Sequence, residues 1–201
     1  MRIGFVGAGK VAQTLAAAWY AATPASASQL LITYFIDSRM AVMPTQPALR
    51  IRPPLQADFK AWLPLWDGYN AFYGRTGPSA LPLKVTRKTW SRFFNDEDPV
   101  FALLAEHDGA VVGLVHYLYH RSTTRPEGTC YLQDLFTAED QRGQGVGRAL
   151  IEGVYSAARR ARIQRVYWHT HESNAAGRRL YDQVAEHAGF IVYAVDLDAA
   201  S

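Results

Sequence analysis

The chain has 201 residues, 49% hydrophobic and 12% aromatic, with a formal net charge of +3. That profile excludes a disordered chain and allows one sizeable core with at most a small appendage. The mild basic excess suits an anionic cofactor but is too weak to point to nucleic acid, so none is expected as a direct partner.

Cys130 is the only cysteine, which excludes an intrachain disulfide and a cysteine metal cluster and makes a reducing, cytoplasmic setting the expectation. No apolar run reaches the roughly 18 residues of a membrane span, so no membrane partner is expected. Gly7, Gly9 and Lys10 make the N-terminus a poor signal peptide.

In chain order, Arg2–Val6 reads as a short strand, Gly7-Ala8-Gly9 as a turn, Lys10–Ala22 as a helix and Leu30–Ile36 as a second strand. This order resembles the opening unit of a Rossmann dinucleotide-binding domain, with Ala12 at the third glycine position. A P-loop reading of Gly4 to Lys10 fails, because Val11 stands where Ser or Thr is required and Gly4 lies within the strand. No further parallel strands follow residue 39; a proline-punctuated linker, Met40 to Pro47, follows instead. Residues 1–42 are therefore expected to be a non-catalytic, Rossmann-like extension, either a fused remnant or sequence ahead of a start at Met43. Residues 43–201 are expected to form the functional domain; the alternative is a working nucleotide site in the extension.

From residue 48 the pattern is continuous. Leu49–Arg52 reads as a strand, and Phe59, Trp62, Leu63, Trp66, Tyr69 and Tyr73 recur at helical spacing through Gln56–Tyr73, with Pro64 predicting a bend. Thr86–Asn95 reads as a second helix. Val100–Glu106 and Val111–His120 read as strands joined by a hairpin at Asp108-Gly109, and Tyr131–Thr137 as the next strand. Val146, Leu150, Ile151, Val154, Tyr155 and Ala158 trace one face of a long helix. Val166–Thr170 reads as a strand, Asn174–Ala188 as a helix capped by Asn174, and Phe190–Val195 as the last strand. The order predicts an α/β fold with a mixed sheet.

The chemistry concentrates where a strand enters the turn Arg142-Gly143-Gln144-Gly145-Val146-Gly147-Arg148 and a helix begins. Backbone N–H groups crowd there, glycines let them approach a ligand, and the helix dipole favours an anion, so a phosphorylated ligand is the natural occupant. The turn matches the Arg/Gln-x-x-Gly-x-Gly/Ala signature, and Asn174 and Tyr181 follow at the expected places. On these residues the region 48–196 resembles the GNAT acyl-CoA N-acyltransferases. Tyr131–Phe136, Val166–Asn174 and the Trp66/Tyr69/Tyr73 helix resemble most the yeast-type histone/polyamine and the diamine (spermidine/spermine, thialysine) acetyltransferases.

The resemblance implies the GNAT fold, a mixed central sheet flanked by helices, with acetyl-CoA as co-substrate. Its pyrophosphate would lie on the amides of Gly143 to Arg148. Its pantetheine arm would lie beside Leu135, Phe136 and Thr137, and Asn174 would also contact it. Tyr181 takes the general-acid position, since a phenol stays protonated at neutral pH. The Glu that serves as base in the diamine enzymes is replaced by Gln133, which cannot accept a proton. Asp134 is ranked first in its place, ahead of Glu172, His116 and His171. Trp66, Tyr69 and Tyr73 would form an aromatic wall for a cationic amine, and Glu172 would join them on the acceptor side.

The pairs His169/His171 and His116/His120 lack a supporting carboxylate cluster, so no metal is expected. Arg159, Arg160, Arg162 and Arg165 read as a solvated helix end, with a contact to the CoA phosphates as the alternative. The expected function is direct acetyl transfer to a primary amine: a polyamine, a lysine-like small molecule or a protein lysine. The alternatives are a different small amine, or a non-catalytic acyl-CoA-binding regulatory module. A homodimer is expected from the resemblance.

Overall fold

The structure, a computed structural model, describes residues 49–197; the Rossmann-like reading of residues 1–42 lies outside the described residues. The elements run β1 (Arg50–Arg52), α1 (Phe59–Phe72), α2 (Leu83–Arg92), β2 (Val100–His107), β3 (Ala110–His120), β4 (Thr129–Thr137), α3 (Val146–Arg160), β5 (Val166–Tyr167) and α4 (Ala175–Val184). The five strands form one sheet in the order β1-β2-β3-β4-β5. The first four pair antiparallel and β4 pairs parallel with β5, so the sheet is mixed, as the sequence predicts.

The hairpin between β2 and β3 turns at Asp108 and Gly109, whose φ values of 53° and 76° are those of a type I′ turn. The sheet buries both faces. On one, Leu150, Ile151, Val154 and Ala158 of α3 pack on Leu103, Val115, Cys130 and Leu132. On the other, Trp62, Leu65, Trp66 and Tyr69 of α1 pack on Leu104 and Leu114. Helix α1 runs unbroken through Pro64. It lies so close to β4 that a Cβ at Gly68 would fall 2.7 Å from the Phe136 ring, which explains a glycine in a helix interior. No described helix is long and apolar enough to cross a membrane.

Several boundaries differ from expectation. Helix α2 starts at Leu83 rather than Thr86, because Pro82 already holds a φ of −56° at its entry. It ends at Arg92, beyond which Phe93, Phe94 and Asn95 make turn bonds to carbonyls three residues back. Strand β5 stops at Tyr167 instead of Thr170, since only Cys130 and Tyr131 of β4 remain in register with it. Helix α4 ends at Val184 rather than Ala188; Ala185 is already extended, and only alanines follow that could have prolonged the buried face. The strand predicted over Phe190–Val195 is not formed. Residues 185–197 carry no regular element, and Phe190, Ile191, Val192, Tyr193 and Val195 are 63–87% exposed. An apolar strand needs a neighbouring strand to pair with.

Candidate active site

Strand β4 carries the centre of the site. The β3–β4 register pairs His116 with Asp134 and then Tyr117 with Leu132, which makes Gln133 the extra residue of a β-bulge. The bulge keeps Leu132 on the α3 face and turns Asp134 to the α1 face, against His116. Because β5 leaves β4 after Tyr131, residues Leu132–Thr137 have no strand on their outer edge among the described residues. Backbone donors and acceptors beside Leu135, Phe136 and Thr137 are thus free on one side, open to an amide-bearing chain that pairs as a strand would.

Beyond β4, a short turn leads to the start of α3. Gly143 and Gly145 hold φ values of 77° and 82°, and a Cβ at either would meet nothing within 4 Å. The positive φ there selects glycine, and the absence of Cβ atoms leaves the concave face open. No backbone N–H from Gly143 to Arg148 has an acceptor within the described residues; the first that does is Ala149, which donates to the Gly145 carbonyl at 3.0 Å. These donors, at the positive end of a 15-residue helix, form an anion cradle that fits a pyrophosphate. Side chains hold the turn in place. Gln144 donates to the Asp140 carbonyl at 3.2 Å, and Arg142 donates to the Thr137 carbonyl at 3.3 Å while lying 5.6 Å from the Phe136 ring. Val146 is buried in the core, Gly147 packs against Leu180 of α4, and Arg148 binds Gln183.

On the α1 face, three buried side chains form a chain of hydrogen bonds. The Trp62 indole N–H donates to His116 Nε2 at 3.0 Å, and His116 Nδ1 lies 2.9 Å from Asp134 Oδ2. An indole can only donate, so His116 Nε2 accepts, Nδ1 carries the hydrogen, and the imidazole donates to Asp134. His116 therefore has no free lone pair with which to act as a base. Replacing Trp62 by Phe leaves the buried Nε2 without its donor, and we expect a loss of about 1–3 kcal/mol in urea unfolding.

Asp134 is 8% exposed. Its charge reaches the phenols of Tyr69, Tyr73 and Tyr131. Burial pushes all three phenols above their usual range, and the Asp134 charge pushes them further. A cavity of about 310 Å³ opens beside this group, lined by Trp66, Arg75, Arg92, His116, Gln133 and Asp134 among others. Tyr69 is buried, while Tyr73 is 40% exposed.

Tyr181 projects from α4, its ring edge-on to Trp168 at 5.4 Å. Burial and, to a lesser degree, Tyr73 raise its phenol above the usual range, with Thr170 acting the other way. Tyr73 thus lies within electrostatic reach of both Asp134 and Tyr181.

The Asn174 side chain is committed within the chain: Oδ1 caps α4 by accepting from Gly177 N–H at 3.0 Å, and Nδ2 donates to Thr170 Oγ1 at 3.0 Å. Glu172 and His171 are exposed on the loop after β5 and do not line the cavity, and His171 bonds Ser173 at 2.7 Å. Of the four base candidates the fold brings only Asp134 and His116 together. No three His, Cys, Asp or Glu side chains gather as metal ligands would among the described residues. Sequence reasoning missed Trp62 as a partner of His116, and also Asn70 and Arg75. A signal existed for Asn70: it sits four residues after Trp66 on an otherwise apolar helix face.

Comparison with known proteins bears on the family and the fold. The model of the acetyltransferase (GNAT) family matches residues 62–185. A D-amino-acid N-acetyltransferase of Saccharomyces cerevisiae is 34% identical over 138 residues, covering 68% of this chain and 83% of that protein. An uncharacterized N-acetyltransferase of Bacillus subtilis is 26% identical over 153 residues, covering 75% and 99%. Among solved structures, an aminoglycoside N-acetyltransferase in complex with CoA superposes with a TM-score of 0.63 at 14% identity, over 77% of this chain and 99% of that one. A ribosomal-protein-alanine N-acetyltransferase from Brucella melitensis does so with a TM-score of 0.58 at 20% identity, over 75% and 100%.

Proposed function

The chain belongs to the GNAT acetyltransferase family, as an N-acetyltransferase that uses acetyl-CoA, and from that premise we propose direct acetyl transfer to a primary amine held against Asp134. The observation that carries this reading is the layout of β4. The strand bears a buried carboxylate at Asp134, a free edge over Leu135–Thr137, and an unpaired row of N–H groups just beyond its end.

Acetyl-CoA supplies an activated acetyl thioester. The amides of Gly143 to Arg148 hold its pyrophosphate, with the flanking Arg142 and Arg148 close by, and the open edge at Leu135, Phe136 and Thr137 pairs with its pantetheine arm. A backbone N–H on that edge polarises the carbonyl oxygen as negative charge develops there. His116 holds Oδ2 of Asp134, which leaves Oδ1 to take the proton from the incoming ammonium. Tyr181 Oη holds a proton for the departing sulfur, and burial keeps it there. Asn174 serves by fixing the start of α4, and so the position of Tyr181. The stacked Trp66 and Tyr69, 5.6 Å apart, and Tyr73 give the ammonium an aromatic wall. Glu172, on the loop after β5, is assigned to the outer rim of the acceptor site.

Small polyamines, lysine-like molecules and protein lysines all present a primary amine, and the yeast relative's name adds amino acids to them. A turnover screen with acetyl-CoA against these four classes tests the reading. Acetylated product is expected, whereas tight acetyl-CoA binding without product from any amine would mark a regulatory module instead. A buried carboxylate at Asp134 lining the cavity and a phenol kept protonated by burial at Tyr181 favour the enzyme. The lone, buried Cys130 thiol suits a reducing cytoplasm.

We also propose a homodimer, in which a second copy covers the exposed apolar run from Phe190 to Leu197. Deleting residues 189–201 is expected to convert a dimer to a monomer in sedimentation; a monomeric wild type would contradict this.

A further inference from the structure

We propose that the acceptor carries a carboxylate of its own, as an amino acid does, and that Arg75 is the group that binds it. The inference rests on acetyl transfer at the same site and names the acceptor class.

Arg75 follows α1 and lines the cavity together with Asp134. Its Nε donates to Asn70 Oδ1 at 2.8 Å, and Asn70, 4% exposed, is itself fixed by donating from Nδ2 to the Trp66 carbonyl at 2.8 Å. The guanidinium carbon lies 5.9 Å from the Tyr69 ring centre and 5.6 Å from that of Tyr73. The fork is thus oriented by a buried amide and stacked on aromatic rings, and among the described residues neither terminal nitrogen has a hydrogen-bond partner, which leaves both for a bidentate contact.

Two arginines line the cavity. Arg92 pairs with Asp98, whereas among the described residues no carboxylate lies within 4.0 Å of Arg75. A held, half-buried cation in a cavity, with no anion of its own, fits an anionic group of the ligand.

The two charges suit a zwitterion. Asp134 and Arg75 line one cavity, and Tyr69 belongs to both surroundings: its ring centre lies 5.9 Å from the guanidinium carbon, and its phenol feels the Asp134 charge. An ammonium set at Asp134 leaves a carboxylate on the same small molecule free to reach Arg75. A polyamine has only positive charge to set beside Arg75, and an internal lysine of a protein has a neutral backbone there.

The test compares kcat/KM for racemic amino acids, their matching amides and spermidine, using the full chain and the variants Arg75→Gln and Arg75→Lys, each checked by thermal melting. The wild type is expected to prefer each free acid over its amide by about 10- to 100-fold. The amide's amine is the less basic, so basicity cannot produce that preference. In Arg75→Gln the ratio is expected to fall towards unity through a higher KM for the acids, and Arg75→Lys should restore part of it. Equal use of acid and amide by the wild type, or an equal loss for both in Arg75→Gln, would overturn the proposal. Acetylation of spermidine or amides but not acids would overturn it while leaving acetyl transfer standing; acetylation of no amine would overturn both.

Discussion

Replacing Asp134 by asparagine is expected to lower kcat by about 10²- to 10⁴-fold, the range for loss of a positioned general base, with acetyl-CoA affinity retained. The variant keeps the shape of the side chain, and its amide oxygen can still accept from His116 Nδ1. The fold should therefore survive and the loss fall on chemistry. An ammonium acceptor must shed a proton before nitrogen can attack, and Asp134 is the one carboxylate among the residues lining the cavity. Raising the pH supplies free amine from solution, so the deficit of Asp134→Asn should shrink as pH rises. Near-wild-type kcat at neutral pH would remove Asp134 from the chemistry and leave it a structural partner of His116.

Tyr181→Phe should lower kcat by about 10²-fold with little change in acetyl-CoA affinity. The sign of the pH effect follows from burial. A phenol whose pKa lies above its ordinary value of about 10 stays protonated further into the alkaline range, so its proton is available throughout the neutral range and beyond. The wild-type kcat should therefore show no descending limb below about pH 10. A fall in that window, or a Tyr181→Phe variant whose only defect is a raised KM for acetyl-CoA, would reassign Tyr181 from proton donor to binding wall.

Where local patterning and packing agree, the fold was legible. The apolar stripe from Val146 to Ala158 is the buried face of α3, Asp108-Gly109 makes the predicted hairpin, and the glycines after Arg142 open the helix start as their spacing implied. Boundaries that depend on a non-local partner were not. Val166–Thr170 has strand propensity throughout, but β4 and β5 stay in register for two residue pairs only, and that early separation frees the edge on which the site depends. Phe190–Val195 has a stronger strand pattern still and remains unpaired, because propensity cannot supply a neighbour.

The site divided along the same line. The cradle and Tyr181 follow from motif and spacing, within one stretch of chain. The Trp62–His116–Asp134 chain joins three elements, with Trp62 and His116 54 positions apart and His116 and Asp134 18 positions apart. Only the sheet register, shifted by the bulge at Gln133, brings them together. Arg75 reads in sequence as one loop cation among many; its meaning comes from the amide that orients it and from the acid it lacks.

The most direct test of the site is a calorimetric titration of the full chain with acetyl-CoA and, separately, with NADPH. One acetyl-CoA bound per chain and no binding of NADPH is the predicted result. Binding of NADPH without acetyl-CoA would contradict it and move the ligand site away from the turn at Gly143–Arg148.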